Sequence, residues 1–182
     1  MVKRICADIW QGLNSVSRIC SGRGMDNSQW TYITMLRLCE AGKALGYYVC
    51  TKSVTGANHG EWLFDQVWMA KTPGQLKRIG LVVECEWSLK QDDILYDFRK
   101  LLVARADVRL MIFQARTPQR VKALFDLLRA ETQGFTQQQS GDHYMLAGYD
   151  MQNGEFLRDG FRIKNAYAVE DVPFLSRDRQ QP

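Results

Sequence analysis

Residues 79–87 read IGLVVECEW, an apolar run that acquires two acids only at its end. A run this short and this rich in β-branched residues predicts a strand covered on both faces. Side chains alternate along a strand, so Glu84 and Glu86 share one face with Val82. Val83, Cys85 and Trp87 take the other. Two carboxylates at i and i+2 on a buried strand repel each other and lose hydration, so they call for a compensating cation. Upstream, residues 61–69 read EWLFDQVWM, a second candidate strand with Asp65 as the acid inside it. If the two strands pair, Asp65, Glu84 and Glu86 converge. Acids that simply reach water or an arginine are the plain alternative. Oxygen donors of this kind suit Mg²⁺ or Mn²⁺, which also bind phosphate oxygens.

The rest of the chain supplies the frame. Apolar residues at helical spacing predict a helix over 7–20, stopped by Ser21-Gly22, and a second from Asp26 or Ser28 to Leu45, stopped by Gly46. Residues 47–51 predict a strand and 55–60 a turn. A helix is expected over 91–106, a strand over 108–113, and a helix opening at Thr117-Pro118. Late strands are expected over 143–149 and 161–168, and residues after Phe174 read as a charged tail. The order is α, α, β, β, β, α, β, α, β, β. It predicts an α/β fold with a mixed central β-sheet flanked by helices, in one domain. Within it, residues 1–24 would be a helical extension, 26–135 the core, 136–174 the C-terminal strands and 175–182 the tail. With 182 residues and 46% hydrophobic content, one such core is well supplied.

Other chemistries find little footing. No GxGxxG follows a strand and no GxxxxGK[ST] occurs, so nucleotide cradles are not indicated. Five cysteines without a CxxC pair and only two histidines argue against zinc and for reduced thiols. The N-terminal apolar run is broken by Lys3, Arg4 and Asp8, so no signal peptide is expected. No stretch nears the roughly 18 apolar residues of a membrane span. Together these predict a cytoplasmic protein without a membrane partner. A net charge of +4 permits a polyanionic partner without requiring one.

Asp65 in WLFDQVW, Glu84 and Glu86 in LVVECEW, the helix ILYDFRKLLVAR and the strand VRLMIF resemble the PD-(D/E)XK, or restriction-endonuclease-like, nuclease superfamily. That superfamily places an acid on one strand and a (D/E)-x-K pair on the next, followed by a helix and another strand. The resemblance spans roughly residues 39–113. It implies a Mg²⁺- or Mn²⁺-dependent endonuclease acting on DNA, of restriction or defence type, with Asp65, Glu84 and Glu86 at the metal. Phe64 stands where the family has proline, and Glu86 where it has lysine. The resemblance allows an E-x-E variant, or a lysine moved to the helix, for which Lys100 is the candidate and Lys90 a weaker one. On a helical wheel Lys100 falls opposite the apolar stripe, which fits a solvated lysine equally well. Glu40 and Asp97 are candidate accessory acids. Arg105, inside the predicted stripe, is a candidate partner for a strand acid or a phosphate. Arg116, Gln119, Arg120 and Lys122, at the start of the later helix, are candidate phosphate contacts, with Arg158, Arg162 and Lys164 as a second basic group. A homodimer through the N-terminal helices is a further expectation. The alternative to an enzyme is a catalytically decayed, nucleic-acid-binding or regulatory module on the same fold.

Overall fold

The computed structural model describes residues 1–52, 54–165 and 168–172. Seven strands form one sheet in chain order: β1 (Tyr48–Thr51), β2 (Gln66–Thr72), β3 (Gln75–Glu86), β4 (Val108–Ala115), β5 (His143–Asp150), β6 (Glu155–Asn165) and β7 (Ala168–Asp171). The mixed sheet expected from the sequence is present. β3, β4 and β5 run parallel, and the outer pairings are antiparallel. Parallel neighbours require crossovers, and two helices provide them: α3 (Gln91–Leu102) between β3 and β4, and α4 (Pro118–Gly134) between β4 and β5.

Two further helices precede the sheet, α1 (Val2–Cys20) and α2 (Asn27–Ala44). α2 opens with a capping box in which Asp26 and Gln29 satisfy each other's backbone N–H, and the chain turns out at Gly46, φ 82°. α1 and α2 cover the face of Val49, Trp68, Leu81, Val83, Leu110 and Ile112. α3 and α4 cover the opposite face, where Val67, Val82, Met111, Phe113, Leu146 and Phe161 lie. The result is three layers with a helical pair on each side of the sheet. α1 is no appendage: it buries Ile5, Cys6, Ile9, Trp10 and Leu13 in the same cluster as α2 and the sheet, and the Ser17 hydroxyl donates to Gly154 O at 2.6 Å. The expected N-terminal extension is therefore part of the core.

Several boundaries move. The expected strand over 61–69 begins only at Gln66, so Asp65 lies in the bend just before it. Thr72-Pro73-Gly74 makes a hairpin tight enough to start β3 at Gln75, four residues early. α3 stops at Leu102 rather than 106. β6 begins at Glu155 instead of 161, and the expected tail over 175–182 lies outside the described residues. All five cysteines are free thiols. Among the described residues, no helix is long and apolar enough to cross a membrane.

Candidate active site

β3 presents alternate residues to the two helical layers, and Glu84 falls on the α3/α4 side, facing inward. Its side chain is 1% exposed. Register sets it beside Met111 of β4, while the start of β2 brings in Asp65 from the other flank. Asp65 is held at both ends. Its Oδ2 accepts the Cys85 backbone N–H at 2.8 Å, and its carbonyl accepts the Thr51 hydroxyl at 2.8 Å. Extending the antiparallel Gln66–Val83 register by one residue sets Asp65, in the bend before β2, opposite Glu84 of β3.

Lys100 joins them from above. α3 lays Ile94, Phe98 and Leu101 onto the sheet. Lys100 is rooted away from that stripe, but its arm brings Nζ to 2.6 Å from Glu84 Oε2 and 3.0 Å from Asp97 Oδ1. A wheel plots where a side chain starts, and a four-carbon arm ends elsewhere. One Glu84 oxygen is thus paired. The other, Oε1, is buried with no hydrogen-bond partner.

The electrostatics follow from this geometry. Burial pushes the Glu84 carboxyl up to about 8, the Lys100 hydrogen bond pulls it back, and the Asp65 charge adds to the rise. Burial also raises Asp65, against the Cys85 N–H and the Lys100 charge. For Lys100, burial works against the ammonium, but Glu84 and Asp97 outweigh it and hold the group above the ordinary lysine range. One cation thus serves a buried acid whose second oxygen has no partner.

The remaining sequence candidates distribute unevenly. Glu86 shares the face of Glu84 as the last residue of β3, but its carboxylate is taken by the following turn, where it accepts the Ser88 N–H at 2.6 Å. Among the described residues no three acids, histidines or cysteines are grouped to hold an ion. The expected three-acid convergence is therefore a two-acid pair. Glu40 is bound to Arg37 at 2.8 Å and lines a groove with Arg4 and Asp8 in the α1/α2 layer, across the sheet from Lys100. Arg105 follows the end of α3, because the helix stops early. It is exposed and hydrogen-bonds Gln139, away from the strand acids. Neither Glu40 nor Arg105 is an accessory to this site.

Arg116 and Arg120 do lie at the end of the sheet that carries the acids, since α3 and α4 both start where parallel strands finish. Thr117 caps α4 by accepting the Arg120 N–H, and the Arg120 guanidinium donates to Gln91 Oε1 at 3.1 Å, tying the two helix starts together. Lys122 is exposed on α4. Arg162 of the second basic group pairs with Glu170 at 2.6 Å, and Arg158 lies over the Trp10 ring.

Sequence reasoning missed the supports of the site. Ser88 donates to Asp93 Oδ2 at 2.6 Å and accepts the Lys90 N–H, fixing the turn that leads from Glu86 into α3. The Trp87 indole donates to Thr31 at 2.9 Å, and Trp30 packs on both Trp87 and Tyr149, which anchors the start of α2 to the same sheet end. A serine followed by acids in a first helical turn was the available signal for the first of these. Nothing local signalled the tryptophan contacts, which depend on residues 56 apart. Comparison with protein-family models, with curated proteins and with solved structures finds no match.

Proposed function

We propose that this chain is a divalent-cation-dependent nuclease of restriction-endonuclease-like fold that hydrolyses phosphodiester bonds, with DNA as its substrate. The observation that carries the reading is Glu84: a buried carboxylate, beside a second carboxylate, with one oxygen left without a partner. Such an arrangement is unfavourable in a structural role, because a buried acceptor without a donor costs about 1–3 kcal/mol. A divalent cation would give that oxygen its partner. The order of elements supports the reading. α2, three antiparallel strands, α3 and then β4 parallel to β3 match the superfamily's sequence of acid, acid pair, helix and strand.

The donor set fits Mg²⁺ or Mn²⁺, which take one or two carboxylates and leave their other positions to water and phosphate. Asp65 and Glu84 would hold the ion. When bound, it supplies an acidified water and offsets charge on the phosphate. The chain's own residues do the rest. The Cys85 N–H and Thr51 hydroxyl keep Asp65 in place. Asp97 keeps Lys100 aimed at the site and protonated, so that its ammonium can meet the negative charge that develops on the phosphate. Glu84 must release its proton to ligate, so cation affinity rises with pH. Arg116 and Arg120, at the mouth, would position the backbone of the substrate.

A second reading has its own support. Glu86 is engaged by the turn and Lys100 already neutralises one Glu84 oxygen, as in a module that binds nucleic acid without cutting it. Mn²⁺ titration by calorimetry and cleavage of supercoiled plasmid in Mg²⁺ separate the two. The nuclease reading expects binding that weakens at least tenfold in Glu84→Ala, and cleavage that falls on the order of 10³-fold in Asp65→Ala. Wild-type protein that binds DNA but neither binds Mn²⁺ nor cuts any DNA or RNA would leave the binding module standing.

A further inference from the structure

Just before Asp65 the chain does something unusual. Leu63 has φ 66°, the only positive φ at a non-glycine among the described residues, and the residue is 72% exposed. Left-handed backbone is unfavourable for a leucine, and here no burial offsets it. Glycine or asparagine would occupy this conformation with less strain. Its neighbour Trp62 is exposed by 37%. Phe64, by contrast, packs into the core beneath α3 and α4 and anchors the segment. Across the acids, the turn after β3 exposes Leu89 and then Lys90. Asp65 is already hydrogen-bonded to the Cys85 N–H, so the residues before it and those after Glu86 flank one end of the sheet. Apolar side chains therefore rim an acidic site whose surroundings carry Lys90, Arg116 and Arg120.

We propose that Trp62 and Leu63 form a stacking and wedging element that engages an unpaired base next to the scissile phosphate. The substrate class is then nucleic acid containing unpaired nucleotides, such as a single strand, a flap or a splayed end, in preference to continuous duplex. This rests on the nuclease reading and narrows it. An indole offers a face to any base, and a protruding leucine can separate a base step. The flanking cations favour a polyanionic occupant over an apolar protein surface. The held backbone conformation keeps Leu63 projecting before the substrate arrives.

The test compares cleavage, in Mg²⁺, of three oligonucleotides of shared sequence: a single strand, a duplex, and the duplex with a flap carrying 2-aminopurine at its junction. Wild-type protein is expected to cut the single strand and the flap on the order of tenfold faster than the duplex. Its binding to the flap is expected to change 2-aminopurine fluorescence. In the double variant Trp62→Ala, Leu63→Gly that rate ratio should fall to within about twofold of unity and the fluorescence change should vanish. The glycine relieves the strained φ, so an unchanged or higher melting temperature shows that the fold is kept. Equal cutting of duplex and flap by wild-type protein overturns the substrate inference and leaves the nuclease intact. A preference that survives in the double variant overturns the assignment to these residues. Self-association without nucleic acid that the double variant abolishes does the same. Failure to cut any of the three overturns the nuclease reading first and this inference with it.

Discussion

Glu84 and Asp159 are both acids buried on the α3/α4 face of the sheet, and both meet a basic side chain from the helix above. They are treated in opposite ways. Asp159 receives Arg129 Nε at 2.6 Å on one oxygen and Arg129 Nη2 at 2.7 Å on the other. Arg129 goes on to Gly160 O, to Asp171 at 2.8 Å, and over the Phe161 ring. Both oxygens of that acid are engaged. Glu84 receives a point charge on one oxygen, from a lysine it shares with Asp97, and the other oxygen is left without a partner. A planar guanidinium closes a carboxylate, whereas an ammonium leaves room beside it. The first arrangement is built to hold elements together. The second keeps an acceptor available.

The largest expected effect tests the closed pair. Asp159→Ala should lower unfolding free energy by about 3–5 kcal/mol, because it leaves Arg129 buried with only part of its partnership. Urea denaturation measures it. Glu84→Gln should stay within about 1 kcal/mol of wild type at pH 5, where Glu84 already holds its proton and the amide replaces a neutral carboxyl of the same shape, leaving Lys100 with Asp97. Equal losses in the two variants would show that both pairs are structural, and the contrast would collapse.

Next comes Lys100→Met, which keeps the arm and removes the charge. Cleavage should fall by about 10²-fold, equivalent to about 2.7 kcal/mol of barrier. The Glu84 carboxyl should move above its present value of about 8, because the hydrogen bond that pulls it down is gone. NMR titration of side-chain-labelled glutamate reads the second effect. A Lys100 that served only as a solvated helix residue would change neither.

The pH dependence of stability sharpens the same point. The unfolded Glu84 releases its proton near the ordinary glutamate value, and the folded one retains it up to about 8. Between those values the folded state holds one more proton than the unfolded, so wild-type stability declines as pH rises across that window and levels off above it. Glu84→Gln has no such proton. Its stability relative to wild type should therefore grow steadily from pH 5 to pH 8. A difference that stayed flat across this range would place Glu84 in a hydrated setting.

How much of this was legible beforehand follows from what each signal measures. The strand carrying Glu84 and Glu86, and the face they share, could be read from period-two alternation, which is local. Element order was equally readable, because helix and strand patterning alternate cleanly from Asp26 to Gly134. The site was legible only to the level of the side chain's root. Glu86 lies on the correct face, yet the turn it helps to make, closed by Ser88, takes its carboxylate. Arg105 was misread because α3 ends three residues before it, and a periodic pattern does not mark where a helix frays. Leu63 was unreadable in principle, since backbone sign is set by how the segment is tethered at Phe64 and Asp65 rather than by its own residue type.

The smallest effect is expected at Arg162 and Glu170, which join β6 and β7 with the same 2.6 Å separation found at Arg129 and Asp159. Both side chains are 45% exposed. Water already solvates each charge, so the contact replaces hydration rather than rescuing a buried group. Arg162→Ala should change unfolding free energy by about 0–1 kcal/mol, and the change should shrink further in 0.5 M salt, where screening reaches only a few ångströms. Distance alone would rank this pair with the buried one. A loss at Arg162 as large as at Asp159 would mean that proximity, and not burial with complete pairing, is what makes an ion pair structural in this sheet. The case for reading Glu84 as an acceptor kept open would then lose its standard of comparison.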